Sequence, residues 1–268
     1  MQELSPKEKR QRFKEMAWSR VGETNKNRLG SVMVVDQYNG SQDVTVRFVE
    51  HGNTVKTTWN QFISGSVRNI YDKSKFGVGY IGEGKHTIRE NDRYTDKFLT
   101  WSGMLMRCYS KKFQEDHPTY KDVTVCEEWH CFQTFADWYD ENYYEVEGNR
   151  MHLDKDILVK GNRVYSPDTC AFVPQFINGL FIGRKALRGN LPIGIKTCSR
   201  YDNKYEVRCC DNKGGREYLG RFDSPSQAFE VYKEYKEQVI KDIAEEYKMQ
   251  IPDNLYEAML NYIVEVTD

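Results

Sequence analysis

The spacing of apolar and polar positions changes several times along this chain, and each change marks a new element. Residues 5–20 read as a helix: Ser5 caps it, Pro6 suits its first turn, Glu8 holds the capping-box position, and Phe13, Met16 and Ala17 form a narrow apolar stripe. From Gly30 the period shortens to two. Val32 and Val34 share a face, Val44, Val46 and Phe48 alternate with Thr45 and Arg47, His51-Gly52-Asn53 makes a turn, and residues 54–59 form the return strand. The pattern predicts a small antiparallel β module, a partly open barrel of the SH3 type. The glycine-rich run 76–84 lacks the Gly-Lys-Ser/Thr of a phosphate loop and reads as a connection, with the linker at 83–93. The helical period returns at residues 96–109, capped by Asp96, with Phe98, Trp101, Leu105 and Cys108 on one face. Residues 123–126 form a short strand. A second helix opens at Glu127 and carries Trp129, Phe132, Phe135, Ala136 and Tyr139.

Beyond residue 150 two apolar runs flank a turn. In a strand His152, Asp154 and Asp156 project to one side while Leu153 and Lys155 point to the other. One face then presents an imidazole and two carboxylates, a set suited to a hard cation. The same spacing also fits an exposed hairpin face that binds nothing. Gly161-Asn162 turns the chain, and the second run leads to Asn178. Strands follow at 193–197, 204–209 and 217–222, with a turn at 211–215. Ser224-Pro225-Ser226-Gln227 opens a helix that buries Ala228, Val231, Tyr232 and Tyr235 and continues through Val239, Ile240 and Ile243 to residue 248. Pro252 breaks the chain before a last helix lined by Leu255, Met259, Tyr262 and Ile263. These late helices pack on their own domain or on a second copy, so a homodimer is one expectation.

Composition narrows the classes. The 268 residues suit two or three domains, and no apolar run approaches the roughly 20 residues of a membrane helix, so no membrane association is expected. Residues 1–12 are polar, unlike a secretory signal, and cytoplasmic residence follows as the expectation. Seven cysteines without CxxC spacing fit reduced thiols rather than a disulfide framework. Cys126, His130 and Cys131, with His117 upstream, share none of the two-plus-two spacings of zinc sites, and zinc is not expected. A net charge of −1 is unusual for a dedicated DNA binder, whose affinity comes mostly from neutralised phosphates. Basic residues nevertheless cluster at 7–14 and at Arg184, Lys185 and Arg188, against an acidic stretch at 137–147.

The run His152-Leu153-Asp154-Lys155-Asp156-Ile157-Leu158, Gly161-Asn162, Tyr165-Ser166-Pro167-Asp168-Thr169-Cys170 and Asn178 resembles the HNH endonuclease finger of phage and mobile-element proteins. The resemblance implies a ββα metal-nuclease fold. It places Asp154 and Asn178 as ligands of Mg²⁺ or another divalent cation, with His152, Lys155 and Asp156 as candidates for catalysis. Lys155 stands where many members carry the water-activating histidine, and Thr169 where the middle asparagine would orient it. Upstream, Trp101, Met104, Arg107, Cys108 and Tyr109, then Val125, Cys126, Trp129, Phe132 and Phe135, resemble the segment preceding the finger in the same proteins. The aromatics read as core, and Arg107 as a candidate phosphate holder. The N-terminal β module looks like an accessory at the start of some phage proteins.

Gly194-Ile195 and Tyr218-Leu219-Gly220-Arg221-Phe222-Asp223-Ser224-Pro225, with Ala228, resemble the ethylene-response-factor (APETALA-type) DNA-binding domain. That family lays a three-stranded sheet in the major groove, which makes Arg200, Lys204, Arg208, Arg216 and Arg221 the residues to test. An ordinary sheet-and-helix domain with surface charges is the competing reading.

These readings converge on an α+β protein: a helix and β module at 1–82, helices and a ββα HNH-like finger at 94–182, and a three-stranded sheet with helices at 190–268. The resemblances imply a double-stranded-DNA-binding protein of a bacterial host's cytoplasm, phage-encoded and of homing-endonuclease type. The alternative is a protein that keeps the scaffold without the chemistry, either as a DNA regulator or as an inhibitor that binds a host defence complex.

Overall fold

The computed structural model describes residues 5–181, 191–199, 204–211 and 215–268. The chain is mixed α/β with several small antiparallel sheets and divides into two compact units, residues 1–139 and 140–268. The boundary falls inside the helix Phe132–Asn142.

In the first unit the helix Pro6–Arg20 starts where Ser5 and Glu8 cap each other: Ser5 N donates to Glu8 Oε2 at 2.8 Å. At its far end Arg20 lies 4.1 Å from the Trp59 ring centroid and donates to Tyr38 Oη at 2.7 Å, fastening helix to sheet. Strands Thr24–Lys26, Val32–Gly40, Asp43–Phe48 and Thr54–Thr57 form an antiparallel meander in sequence order. Val44, Val46 and Phe48 point into its core, as their alternation requires. Val32 and Val34 do share a face, but the core takes the other one. Met33 and Val35 are buried and pair with Phe48 and Val46. The return strand stops at Thr57, two residues short of expectation, because Thr58 and Gln61 form a capping box that starts the helix Trp59–Ile63.

The segment 83–93 is docked rather than a free linker: His86 N donates to Gln133 Oε1 at 2.9 Å, and Gln133 Nε2 returns a bond to His86 O at 3.0 Å. The helix Asp96–Tyr109 matches its expected span, with Thr95 rather than Asp96 as cap. It buries Phe98, Trp101, Met104, Leu105 and Cys108 against Trp129, Phe132 and Phe135. The second helix is split. Glu127–His130 forms a 3-10 turn, Cys131 is extended, and the α-helix begins at Phe132. The break is non-local in origin: Tyr80 N donates to His130 O, and Phe132 N to Tyr80 O, both at 2.9 Å.

In the second unit a hairpin pairs Met151–Asp154 with Ala171–Pro174, and the helix Gln175–Phe181 follows directly. Ile195–Thr197, Tyr205–Cys210 and Arg216–Phe222 form an antiparallel sheet in that order. The helix Pro225–Tyr247, capped by Ser224, serves two cores. Its first half buries Ala228, Phe229 and Tyr232 against Ile195, Val207 and Cys209 of the sheet. Its second half sets Val239, Ile240, Ile243 and Ala244 against Ile157, Ala171, Val173, Ile177 and Leu180 of the hairpin segment. The helix Asp253–Leu260 adds Leu255, Tyr256 and Met259 to that second core. The late helices therefore cover this chain's own hairpin. Fully burying one such side chain contributes about 1.5–3 kcal/mol, so these apolar residues outweigh any single polar contact of the segment.

Candidate hairpin-helix centre and open sheet face

The hairpin brings the carboxylates of the sequence analysis to one end of a strand. Asp154 is its last residue, opposite Ala171. Asp154 Oδ1 accepts from the backbone N–H of Asp156 at 2.9 Å and of Ile157 at 2.8 Å, which turns the chain out of the sheet. Two donors of this kind favour the ionised form. Burial and the neighbouring Asp156 carboxylate act the other way and prevail, pushing the Asp154 carboxyl from 3.8 up to about 6.

Lys155 answers the charge at that turn. Its Nζ lies 2.8 Å from Asp156 Oδ2, with the lysine side chain 12% exposed and the aspartate 46%. His152, two residues before Asp154, has Nδ1 3.4 Å from the Asn178 amide nitrogen on the following helix. Thus His152 meets Asn178, while Asp156 meets both Asp154 and Lys155. Among the described residues no group of three or more His, Cys, Asp and Glu is arranged around a common metal position. Two adjoining carboxylates are nevertheless the donor chemistry of a hard cation, and the raised Asp154 carboxyl is the tension a cation would relieve.

The loop behind the centre is braced by a residue that the sequence marked only as a turn. Asn162 Nδ2 donates to the carbonyls of Lys155 and Val164, both at 2.7 Å, and its Oδ1 accepts from Val164 N at 3.2 Å. Gly161 before it sits at φ +78°, where a side chain would be strained. Thr169 donates to Val164 O at 2.9 Å and lies 2.8 Å from Ser166 Oγ, so it also holds the loop. The only sequence sign for Asn162 was the Gly-Asn pair.

The basic candidates divide by place. The sheet has one face on the helix Pro225–Tyr247, where Ile195, Val207 and Cys209 lie. The register puts Lys196, Glu206, Arg208, Cys210, Arg216, Tyr218 and Arg221 on the open face. The Arg208 guanidinium lies 5.4 Å from the Tyr218 ring centroid, and Arg221 Nη2 is 3.5 Å from Glu206 Oε1. Among the described residues, four cations against one carboxylate make this face basic despite a chain net charge of −1. Lys204 precedes the strand and is ion-paired with Asp223. Lys196 and the exposed Tyr218 were absent from the sequence candidates, although strand alternation could have found both. Arg107 is half-buried on the helix Asp96–Tyr109 of the first unit. Arg184, Lys185, Arg188 and Arg200 lie outside the described residues.

Comparison with family models, with curated proteins and with solved structures finds no match to this chain.

Proposed function

We propose that the chain is a double-stranded-DNA-binding protein of the HNH endonuclease type, in which residues 151–181 form a cation-assisted phosphodiester-cleaving centre and the open sheet face holds the DNA. The observation that carries the reading is the juxtaposition at the hairpin. Burial and the adjoining Asp156 carboxylate raise the cost of ionising Asp154, at the end of a strand whose His152 meets helix-borne Asn178. Asp154, Asp156 and Asn178 are the residues that would hold Mg²⁺ or a similar ion. Such an ion, when bound, polarises the scissile phosphate and stabilises the leaving oxygen. His152 takes the role of base, because the Lys155 amine is paired with Asp156 and an ammonium has no lone pair to accept a proton. Lys155 instead offers positive charge beside the carboxylates. Lys196, Arg208, Arg216 and Arg221 are spaced along one sheet face to meet phosphates and base edges.

The experiment is incubation of the protein with plasmid and phage DNA in Mg²⁺ or Mn²⁺, beside Asp154→Ala and His152→Ala. Cleavage should require the ion, vanish in Asp154→Ala and fall about 10²–10⁴-fold in His152→Ala. Undiminished cutting by Asp154→Ala would remove the assignment.

The Lys155–Asp156 pair favours a second reading, in which a built-in ammonium neutralises the site and the scaffold binds without cutting. Such a protein would regulate DNA or bind a host protein, a partner to which a net charge of −1 presents no obstacle. Metal-independent DNA binding without cuts identifies the regulator, and absence of both directs attention to a protein partner.

A further inference from the structure

Lys160, in the loop behind Asp154, is encircled by oxygens of the segment 262–268. Its Nζ donates to Ile263 O at 2.7 Å, lies 2.8 Å from Asp268 Oδ1 and 3.5 Å from Glu265 Oε2, and sits 4.8 Å from the Tyr262 ring centroid. The Tyr262 hydroxyl donates to Asp268 Oδ2 at 3.4 Å, and the Tyr262 ring meets Phe181 at 4.7 Å. Tyr262 packs in the same apolar cluster as Ile157 and Leu158, the residues that follow the Asp154–Asp156 turn. Burial and the carboxylates of Asp268, Asp156 and Glu265 all push its phenol upward, so these acidic groups share one small region.

A structural staple between two surface segments needs one carboxylate. Here two carboxylates, a backbone carbonyl and an aromatic face converge on one ammonium that is still 34% exposed. Several oxygens around a lysine are what a backbone phosphate supplies. We propose that Lys160 is a phosphate-binding site of the DNA interface, and that Asp268 with Glu265 occupies it as an intramolecular phosphate mimic until DNA displaces them. The inference rests on the DNA-binding reading and adds to it a contact beside the hairpin centre and a reason for weak binding at that contact. Displacement exchanges one ion pair for another, so the acidic segment lowers affinity without blocking it.

The test measures affinity of the full chain for a duplex of about 30 base pairs over a range of salt, using wild type, Asp268→Asn, Lys160→Met and the double variant. Asp268→Asn should bind about five-fold or more tightly at low salt. Its logarithmic salt slope should steepen by about one, the signature of one more phosphate contact. The gain should disappear in the double variant. If wild type binds DNA and Asp268→Asn binds equally or more weakly, the pair is a staple and the inference falls while the DNA reading stands. If none of the four proteins binds DNA, both fall.

Discussion

Asp154 is caught between opposed forces. Two backbone N–H groups reward its charge, while burial and Asp156 penalise it, and the penalty is the larger. A carboxyl whose folded pKa exceeds its unfolded one favours the protonated fold. Its contribution is complete below about pH 4 and is lost as pH rises through about 6. Asparagine can keep both acceptor bonds without the charge. In chelator, Asp154→Asn should therefore be more stable than wild type by about 1–2 kcal/mol at pH 7 and nearly equal to it at pH 4, the range allowing for partial exposure of the site. Urea unfolding at the two pH values measures this, and a less stable variant at pH 7 would show that the charge is welcome. Asp154 was legible in the sequence as a carboxylate sharing a strand face with His152. Its turn-forming bonds, and the bracing by Asn162, were not, because each depends on where a backbone several residues away returns.

At the scale of elements, local signals were reliable where an end was chemically marked. Ser224-Pro225-Ser226-Gln227 opens a helix at the expected residue, and Val44, Val46 and Phe48 fill a core as alternation required. Errors came where distant contacts decide. Cys131 is extended because the Tyr80 backbone pairs on either side of it, and no period within residues 127–139 records Tyr80. Trp59 read as the end of the return strand, yet the Thr58–Gln61 box took it into a helix. Gly194 ties two elements of the second unit together: it sits at φ +76° with the Tyr232 ring where a Cβ would be. Gly194→Ala should cost about 2–4 kcal/mol, combining the left-handed backbone with displacement of a buried aromatic. An unchanged urea midpoint would mean that the sheet is not seated on its helix as described.

At the scale of the molecule, one helix of 23 residues carries both the hairpin core and the sheet core, so the proposed cutting and holding surfaces belong to a single unit. The sequence reading separated them at residues 182 and 190. A long helix serving two cores looks, in one dimension, like an apolar stripe that merely runs on. The neutral net charge likewise hid a basic face, since sums over a chain carry no direction. Arg208→Ala with Arg216→Ala should reduce the salt slope of DNA binding by about two. Lys204→Ala, whose ammonium is already committed to Asp223, should change it by less than one. Equal effects would dissolve the distinction between the open face and its edge.

Cleavage depends on finding the right DNA, whereas binding of a cation by Asp154 and Asp156 does not, and that binding is the claim on which the phosphodiester centre stands. The most direct measurement is therefore a Mn²⁺ titration of wild type and Asp154→Asn at pH 7.5, followed by electron paramagnetic resonance. One bound ion in wild type and none in the variant is the expected result; no bound ion in wild type, or the same binding in both, would contradict a cation centre at this hairpin.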